Sequence, residues 1–258
     1  MRTVRAIRYL TPLREGGSVP AIVEADDDGT YVAKFVGAAQ GARALVAELI
    51  GGELGRMLGL PVPRIVLIEI DALLARSEPD EELQELLKKS AGLNLALDYL
   101  PGALNWEPGL APPPDAELAA RVVWFDAFIT NVDRTPRNPN MLRWHKQLHL
   151  IDHGAALYFQ HDWPLAGATH MAKAKSPFAM IRNHALLPLA GDLRAADAAL
   201  APLVTEDALT AIVAQVPDAW LTGEATPDQT RRAYVEHLCA RAEAPRAFVE
   251  EAIRAKLV

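Results

Sequence analysis

Residues 125–142 read FDAFITNVDRTPRNPNML, an apolar run that passes directly into a polar loop. The apolar residues have helical spacing, whereas Pro136 and Pro139 exclude regular structure in the segment that follows. Two short polar side chains, Asp133 and Asn138, lie five residues apart in this loop. Because proline restricts the backbone on both sides of Asn138, the loop favours one arrangement of these side chains. The pattern predicts that a buried helix delivers both of them to the wall of a cleft.

A second polar turn follows within a few residues. The stretch NMLRWHKQLHLIDHGAAL predicts two short strands joined by a tight turn and ending at Asp152. A hairpin brings the outer ends of its strands together, so we expect Asp152 to lie near the loop of Asp133. Carboxylate and amide oxygens are the ligands that Mg²⁺ prefers. We therefore predict Asp133 as a catalytic base and Asn138 and Asp152 as magnesium ligands, with Asn140 as the competing amide.

A lysine and a glutamate upstream complete a set suited to phosphoryl transfer. The stretch SVPAIVEADDDGTYVAKFVG predicts a β-hairpin, and strand alternation places Lys34 on the same face as Val32 and Val36. Residues 42–58 have helical spacing, and Glu48 lies in a stripe of small residues, namely Ala44, Gly51, Gly52 and Gly55. A buried ammonium needs a partner, so an ion pair between Lys34 and Glu48 would orient the lysine toward a phosphate. A surface lysine and a solvated glutamate are the alternative.

A glycine pair near the N-terminus is a further candidate for phosphate binding. Residues 14–18 read REGGS, and a turn at Gly16, Gly17 and Ser18 could present backbone N–H groups to phosphates. An ordinary turn explains the same residues equally well.

The distribution of strand and helix signals predicts an α+β fold with two lobes. Strands dominate the first hundred residues, an acidic exposed helix or lid is predicted at SEPDEELQELLKKS, and helices dominate from about residue 177. Proline-rich residues 107–115 are the best candidate boundary. We predict a β-rich, ATP-binding lobe over 1–106 and a helical lobe over 107–258 that carries the catalytic and metal-binding loops.

Composition excludes several classes of protein. Twenty-six basic and 33 acidic residues give a formal charge of −7, which argues against a general nucleic-acid or anionic-membrane binder. Cys239 is the single cysteine, so no internal disulfide forms. No window approaches eighteen uninterrupted apolar residues, and the N-terminus lacks a signal-peptide pattern. We expect a soluble, cytoplasmic protein.

Four stretches together resemble HipA-like kinases, which share the fold of protein kinases and phosphatidylinositol kinases. They are NVDRTPRNPNML, LHLIDHGAAL, YVAKF and LVAELIGGELGRMLGLPVP, and the resemblance covers about residues 10–160. It implies a bilobal protein-kinase-like fold with ATP and Mg²⁺ as cofactors. By this resemblance Lys34 contacts ATP and pairs with Glu48, Asp133 is catalytic, and Asn138 and Asp152 bind metal.

The resemblance also implies a hinge and has two local departures. The stretch LDYLPG falls at the hinge position, so backbone groups of Asp98, Tyr99 and Leu100 are expected near the adenine. His153 follows Asp152 where many protein kinases have phenylalanine, and Thr135 stands where HipA toxins have histidine.

Three further polar residues lie in or near the loop. Asp126, in the apolar helix, is better explained as an anchor of the loop backbone than as a reactant. Arg134 and Arg137 are open to two interpretations, contact with a phosphate or structural pairing.

The sequence thus favours an ATP- and Mg²⁺-dependent phosphotransferase, best interpreted as a protein Ser/Thr kinase. A kinase of lipids or small molecules, a nucleotide-binding pseudokinase, and a metal-dependent phosphohydrolase built on Asp133 and Asp152 are the alternatives. The expected partner is a protein substrate of unidentified nature, with an antitoxin or regulatory partner left open. Direct nucleic-acid binding and membrane association are not expected.

Overall fold

A computed structural model describes residues 1–13, 19–38, 41–110, 112–162, 172–223 and 225–257. The predicted glycine loop, Gly16, Gly17 and Ser18, lies outside the described residues.

Five strands form a closed barrel in the order β1-β2-β3-β5-β4. Neighbouring strands are antiparallel, except that β1 and β4 are parallel. The strands are β1 (Thr3–Pro12), β2 (Ala21–Ala25), β3 (Thr30–Lys34), β4 (Ile65–Ile70) and β5 (Gly92–Asp98). In β3, Tyr31 and Ala33 are buried in the barrel interior, and Lys34 points to the opposite face. The predicted alternation of this strand is confirmed.

Helix α1 (Gly41–Met57) connects β3 to β4 and packs closely against the segments of His153 and Val62. A Cβ added at Gly51 would lie 3.0 Å from Cβ of His153, and one added at Gly55 would lie 3.0 Å from Val62. Glycine is costly in a helix, so close approach of neighbouring elements is the compensation that the sequence predicts. Glu48, on the same stripe, is fully buried.

Helix α2 (Glu81–Lys89) is the acidic helix that the sequence predicts as exposed. Asp80 caps its N-terminus by accepting from the backbone N–H groups of Glu82 and Leu83. The helix is amphipathic rather than wholly exposed, because Leu83 and Leu87 are buried and Leu87 packs in the barrel core.

Helix α3 (Ala116–Phe128) is the apolar helix that precedes the polar loop. Its residues from Ala119 to Phe128 are almost all buried in the larger of the two hydrophobic clusters. A separate three-stranded sheet flanks the polar loop in sequence. It consists of β6 (Leu104–Asn105), β7 (Met141–Trp144) and β8 (Gln147–Leu150). The two residues between β7 and β8 have positive φ, as a tight hairpin turn requires, which confirms the predicted hairpin.

Helices predominate in the rest of the described chain. Among them are α4 (Leu193–Leu200), α5 (Glu206–Val213), α6 (Pro227–Ala242) and α7 (Ala247–Lys256). The α+β class is confirmed, whereas the boundary between residues 106 and 107 stays a prediction. No helix in the described ranges is both long and apolar enough to cross a membrane.

Candidate active site

Lys34 joins the barrel to α1 and to the turn after β8. Its Nζ lies 2.7 Å from Glu48 Oε2 and 2.7 Å from Asp152 Oδ1. The Lys34 side chain is 12% exposed and that of Glu48 is 0% exposed, whereas that of Asp152 is 39% exposed. The ion pair predicted between Lys34 and Glu48 is therefore present and buried, and Asp152 keeps one side open to a ligand.

Mutual contacts favour the charged forms of Lys34 and Glu48. Burial alone would raise the pKa of Glu48, but the Lys34 charge and the neighbouring His153 lower it to about 2. Burial would lower the pKa of Lys34, yet the carboxylates of Asp152 and Glu48 raise it above its ordinary value. The Lys34 ammonium thus lines a small cavity together with Asp152 and Gly154.

The loop after α3 closes on itself and brings Asp133 to Asn138. Backbone hydrogen bonds connect Thr135 and Asn138 in both directions, each at 3.1 Å, so the residues between them form a tight turn. Asn138 Nδ2 donates to Asp133 Oδ2 at 2.8 Å, and Asn140 Nδ2 approaches the same oxygen at 3.4 Å. The amide oxygen of Asn138 remains available to a cation, and Asn138 itself is exposed.

Backbone hydrogen bonds connect this loop to the turn that carries Asp152. The Ile151 N–H donates to the Asn140 carbonyl at 3.0 Å, and the Leu157 N–H donates to the Ile129 carbonyl at 2.7 Å. Asp152 has φ 58°, in the left-handed region that non-glycine residues rarely adopt. Such strain concentrates at functional sites, where the surrounding structure maintains it.

Arg134 is a structural residue, which resolves one of the alternatives left by the sequence. Its side chain is 0% exposed, and its Nε lies 2.6 Å from Oδ2 of the equally buried Asp126. Asn131 Nδ2 donates to the other oxygen of Asp126 at 2.9 Å. Although burial would raise the pKa of Asp126, Arg134 and His184 hold it well below its usual range. Asp126 therefore anchors the loop, as predicted, and Arg137 is exposed.

His184 is a member of this cluster that sequence reasoning missed. Its Nε2 lies 2.8 Å from Asp126 Oδ2, although the two residues are 58 positions apart. The Leu186 N–H donates to its Nδ1 at 3.0 Å, so Nδ1 is an acceptor and Nε2 carries the proton. No local pattern in the sequence marks this histidine.

His153 fills the space between α1 and α3. Its ring is fully buried, lies edge-on to Phe125 with centroids 5.8 Å apart, and places Nδ1 3.7 Å from Glu48 Oε1. Since Gly51 leaves room for His153, this residue packs behind the Lys34–Glu48 pair.

The predicted hinge residues lie at a different cavity from Lys34. Asp98, Tyr99 and Leu100 line a cavity of about 420 Å³ together with residues 61–64 and the β7–β8 hairpin. Burial raises the pKa of Asp98. Contact of these residues with adenine stays a prediction.

The donor set suits a hard cation bound together with a ligand. Within the described residues no group of three or more His, Cys, Asp or Glu side chains is positioned to hold a metal ion. Asp152 and Asn138 offer oxygen atoms only, which fits Mg²⁺ completed by phosphate oxygens and water rather than by an all-protein cage.

The α+β kinase fold thus brings together Lys34 from the barrel, its partner Glu48 on α1, and Asp152 after the β7–β8 hairpin. A family model described as HipA-like kinase matches residues 6–248. The chain belongs to the HipA-like kinase family, which confirms the predicted family and the prediction of an ATP-dependent kinase. No curated protein sequence matches it.

Two solved structures resemble this chain to different degrees. The Helicobacter pylori proinflammatory kinase CtkA is 12% identical, with a TM-score of 0.56, over 97% of this chain and 96% of that one. The Golgi casein kinase with Mn/ADP bound is 11% identical, with a TM-score of 0.49, over 96% of this chain and 74% of the other. At these identities the first comparison shows the fold alone.

Proposed function

We propose that this phosphotransferase is an active, Mg²⁺-dependent kinase that phosphorylates Ser or Thr hydroxyls of a protein, with Asp133 as its base. The observation that carries this proposal is Lys34, held between buried Glu48 and half-exposed Asp152. The turn of Asp152 is hydrogen-bonded through Ile151 to Asn140, next to the loop of Asp133. Pro136, Arg137 and Asn138 are exposed, so the loop is accessible to an acceptor as large as a protein.

Each residue has a task that follows from its contacts. The Lys34 ammonium attracts the phosphates of ATP, and Glu48 fixes its position from the buried side. Asp133 accepts the proton of the acceptor hydroxyl. The hydroxyl oxygen bonds to the γ-phosphorus of ATP as the bond between this phosphorus and the ADP oxygen breaks. The Asn138 amide donates to one carboxylate oxygen of Asp133 and so orients the other.

Asp152 and the Asn138 amide oxygen would hold Mg²⁺. When bound, the ion supplies positive charge that offsets the charge of the phosphate oxygens. These residues offer the hard oxygen atoms that this ion selects, and the left-handed backbone at Asp152 fixes one of them.

The finer organisation is part of the same proposal. We infer two lobes that meet near residues 106 and 107, with the backbone of Asp98, Tyr99 and Leu100 contacting the adenine. The charge of −7 favours a protein substrate over a nucleic acid. We place the kinase in the cytoplasm as part of this proposal. Whether an antitoxin or another regulatory protein binds is left to experiment.

The test is transfer from ATP labelled at the γ-phosphate to protein acceptors, followed by phosphoamino-acid analysis. Wild type and Asp207→Ala, which alters an exposed aspartate of α5, should transfer label to Ser or Thr at the same rate. Asp133→Ala and Asp152→Ala should both abolish transfer, and the second should also abolish Mg²⁺-dependent nucleotide binding.

Three outcomes would contradict the proposal. Nucleotide binding by the wild type without transfer or hydrolysis would indicate a pseudokinase. Labelling of lipid or small-molecule acceptors alone would make the protein a kinase of lipids or small molecules instead of a protein kinase. Equal hydrolysis of a generic phosphate ester by wild type and Lys34→Met would favour a phosphohydrolase.

A further inference from the structure

We infer that Arg134, anchored by Asp126, is a positioning residue that sets the separation between the catalytic loop of Asp133 and the metal-binding turn of Asp152. The inference rests on the proposed function for the roles of Asp133 and Asp152. It adds a residue that holds the two loops in register without touching substrate.

One guanidinium nitrogen connects both loops. Arg134 Nη1 donates to the carbonyl of Asn140, at the end of the catalytic loop, and to the carbonyl of Ile151 at 3.2 Å. Ile151 directly precedes Asp152, and its own N–H donates to the Asn140 carbonyl at 3.0 Å. The two segments therefore meet at Arg134 Nη1, and a displacement of this nitrogen changes the distance between them.

The guanidinium is itself fixed from the opposite side. Its Nε lies 2.6 Å from Asp126 Oδ2, and Asp126 belongs to α3, which is packed in the core. Asp126 also accepts from Asn131 and from the protonated Nε2 of His184. Because every one of these groups is buried, the carboxylate has little freedom to move.

Geometry excludes the other role proposed for an arginine in this position. The Arg134 side chain is 0% exposed, so a phosphate would reach it only if the loop opened. Its Nε and Nη1 are already committed to the carboxylate and to backbone carbonyls. Lysine has a single nitrogen and cannot reproduce contacts made by two nitrogens of one rigid plane. The site thus requires the shape of arginine in addition to its charge.

The test compares Arg134→Lys with the matched control Arg246→Lys, which replaces an arginine outside the proposed active site. Arg246 pairs with Asp197 through Nε at 2.6 Å and Nη2 at 2.8 Å, so the control also removes a forked arginine contact. We expect kcat for phosphate transfer to fall about 100-fold in Arg134→Lys, since small misplacements of reacting groups have effects of this size. KM for ATP should change less than about threefold, and Arg246→Lys should stay within about threefold of wild type.

A folded Arg134→Lys variant whose kcat matches that of Arg246→Lys would overturn the inference. If Arg134→Lys does not fold, Asp126→Asn replaces it, because asparagine keeps the size of the anchor and removes its charge. A loss of about tenfold in kcat in that variant supports the inference, and an unchanged kcat overturns it.

Binding of Mn²⁺ in the presence of ADP, followed by electron paramagnetic resonance, separates this inference from the proposed function. A wild type that transfers no phosphate to any acceptor refutes the proposed function. The spectrum of bound Mn²⁺–ADP then decides the positioning role: a changed spectrum in Arg134→Lys supports it, and a spectrum identical to that of wild type overturns it. Failure of the wild type to bind Mn²⁺–ADP overturns both.

Discussion

The buried pair of Lys34 and Glu48 should couple strongly in the free energy of unfolding. Glu48 is 0% exposed, so Lys34→Met leaves a buried carboxylate without its cation, and breaking such a pair costs about 3–5 kcal/mol. Asp152, the other partner of Lys34, is 39% exposed and returns to water at little cost. Glu48→Gln in the Lys34→Met background removes the stranded charge. We therefore expect a coupling energy of about 2–3 kcal/mol from the double-mutant cycle.

Urea unfolding at pH 7, followed by tryptophan fluorescence, measures the four free energies. The matched control is the pair of Lys175 and Glu243, which are 2.8 Å apart, against 2.7 Å for Lys34 and Glu48, but have side chains that are 56% and 61% exposed. Its cycle of Lys175→Met and Glu243→Gln should give about 0–1 kcal/mol. A coupling for Lys34 and Glu48 no larger than that of the exposed pair would refute the buried ion pair as a structural element of the site.

Two further predictions concern the same groups. The pKa of Glu48 is lowered from 4.5 to about 2, so its ionisation stabilises the fold above pH 4.5, and this contribution is lost as pH falls toward 2. Between these pH values the free energy of unfolding should fall by about 3 kcal/mol more in wild type than in Glu48→Gln. Parallel curves of unfolding free energy against pH for the two proteins would contradict the pKa shift. Asn138→Ala should lower the rate of Mg²⁺-dependent phosphate transfer at least about tenfold, whereas Asn140→Gly should lower it less. Glycine is chosen at position 140 because Asn140 has φ 51°, which glycine adopts without strain. The reverse order in steady-state kinetics at varied Mg²⁺ would make Asn140 the metal-binding amide.

Local patterns in the sequence predict the elements that carry the site. Strand alternation places Lys34 on the face opposite the barrel interior, and the glycine stripe of α1 places Glu48 inside the protein. The tight turn between β7 and β8 makes Asp152 a neighbour of the catalytic loop. Each of these inferences needs only a period or a turn preference over fewer than twenty residues.

Long-range contacts are the part that the sequence does not reveal. Parallel pairing of β1 with β4 joins segments about 60 residues apart, and nothing in either strand specifies the other. The contact of His184 with Asp126 is equally distant in sequence. For Arg134, pairing and phosphate binding both fit the residue type, and only its complete burial decides between them. Burial depends on tertiary packing, which no local pattern encodes.

A crystal structure with a non-hydrolysable ATP analogue and Mg²⁺ tests most directly whether these polar groups form one catalytic centre. The predicted result is one magnesium ion bound by Asp152, the Asn138 amide oxygen and the phosphates, with Lys34 Nζ on a phosphate and Asp133 facing the γ-phosphate. An analogue and metal bound elsewhere, with Asp133, Asn138 and Asp152 all free of both, would contradict it.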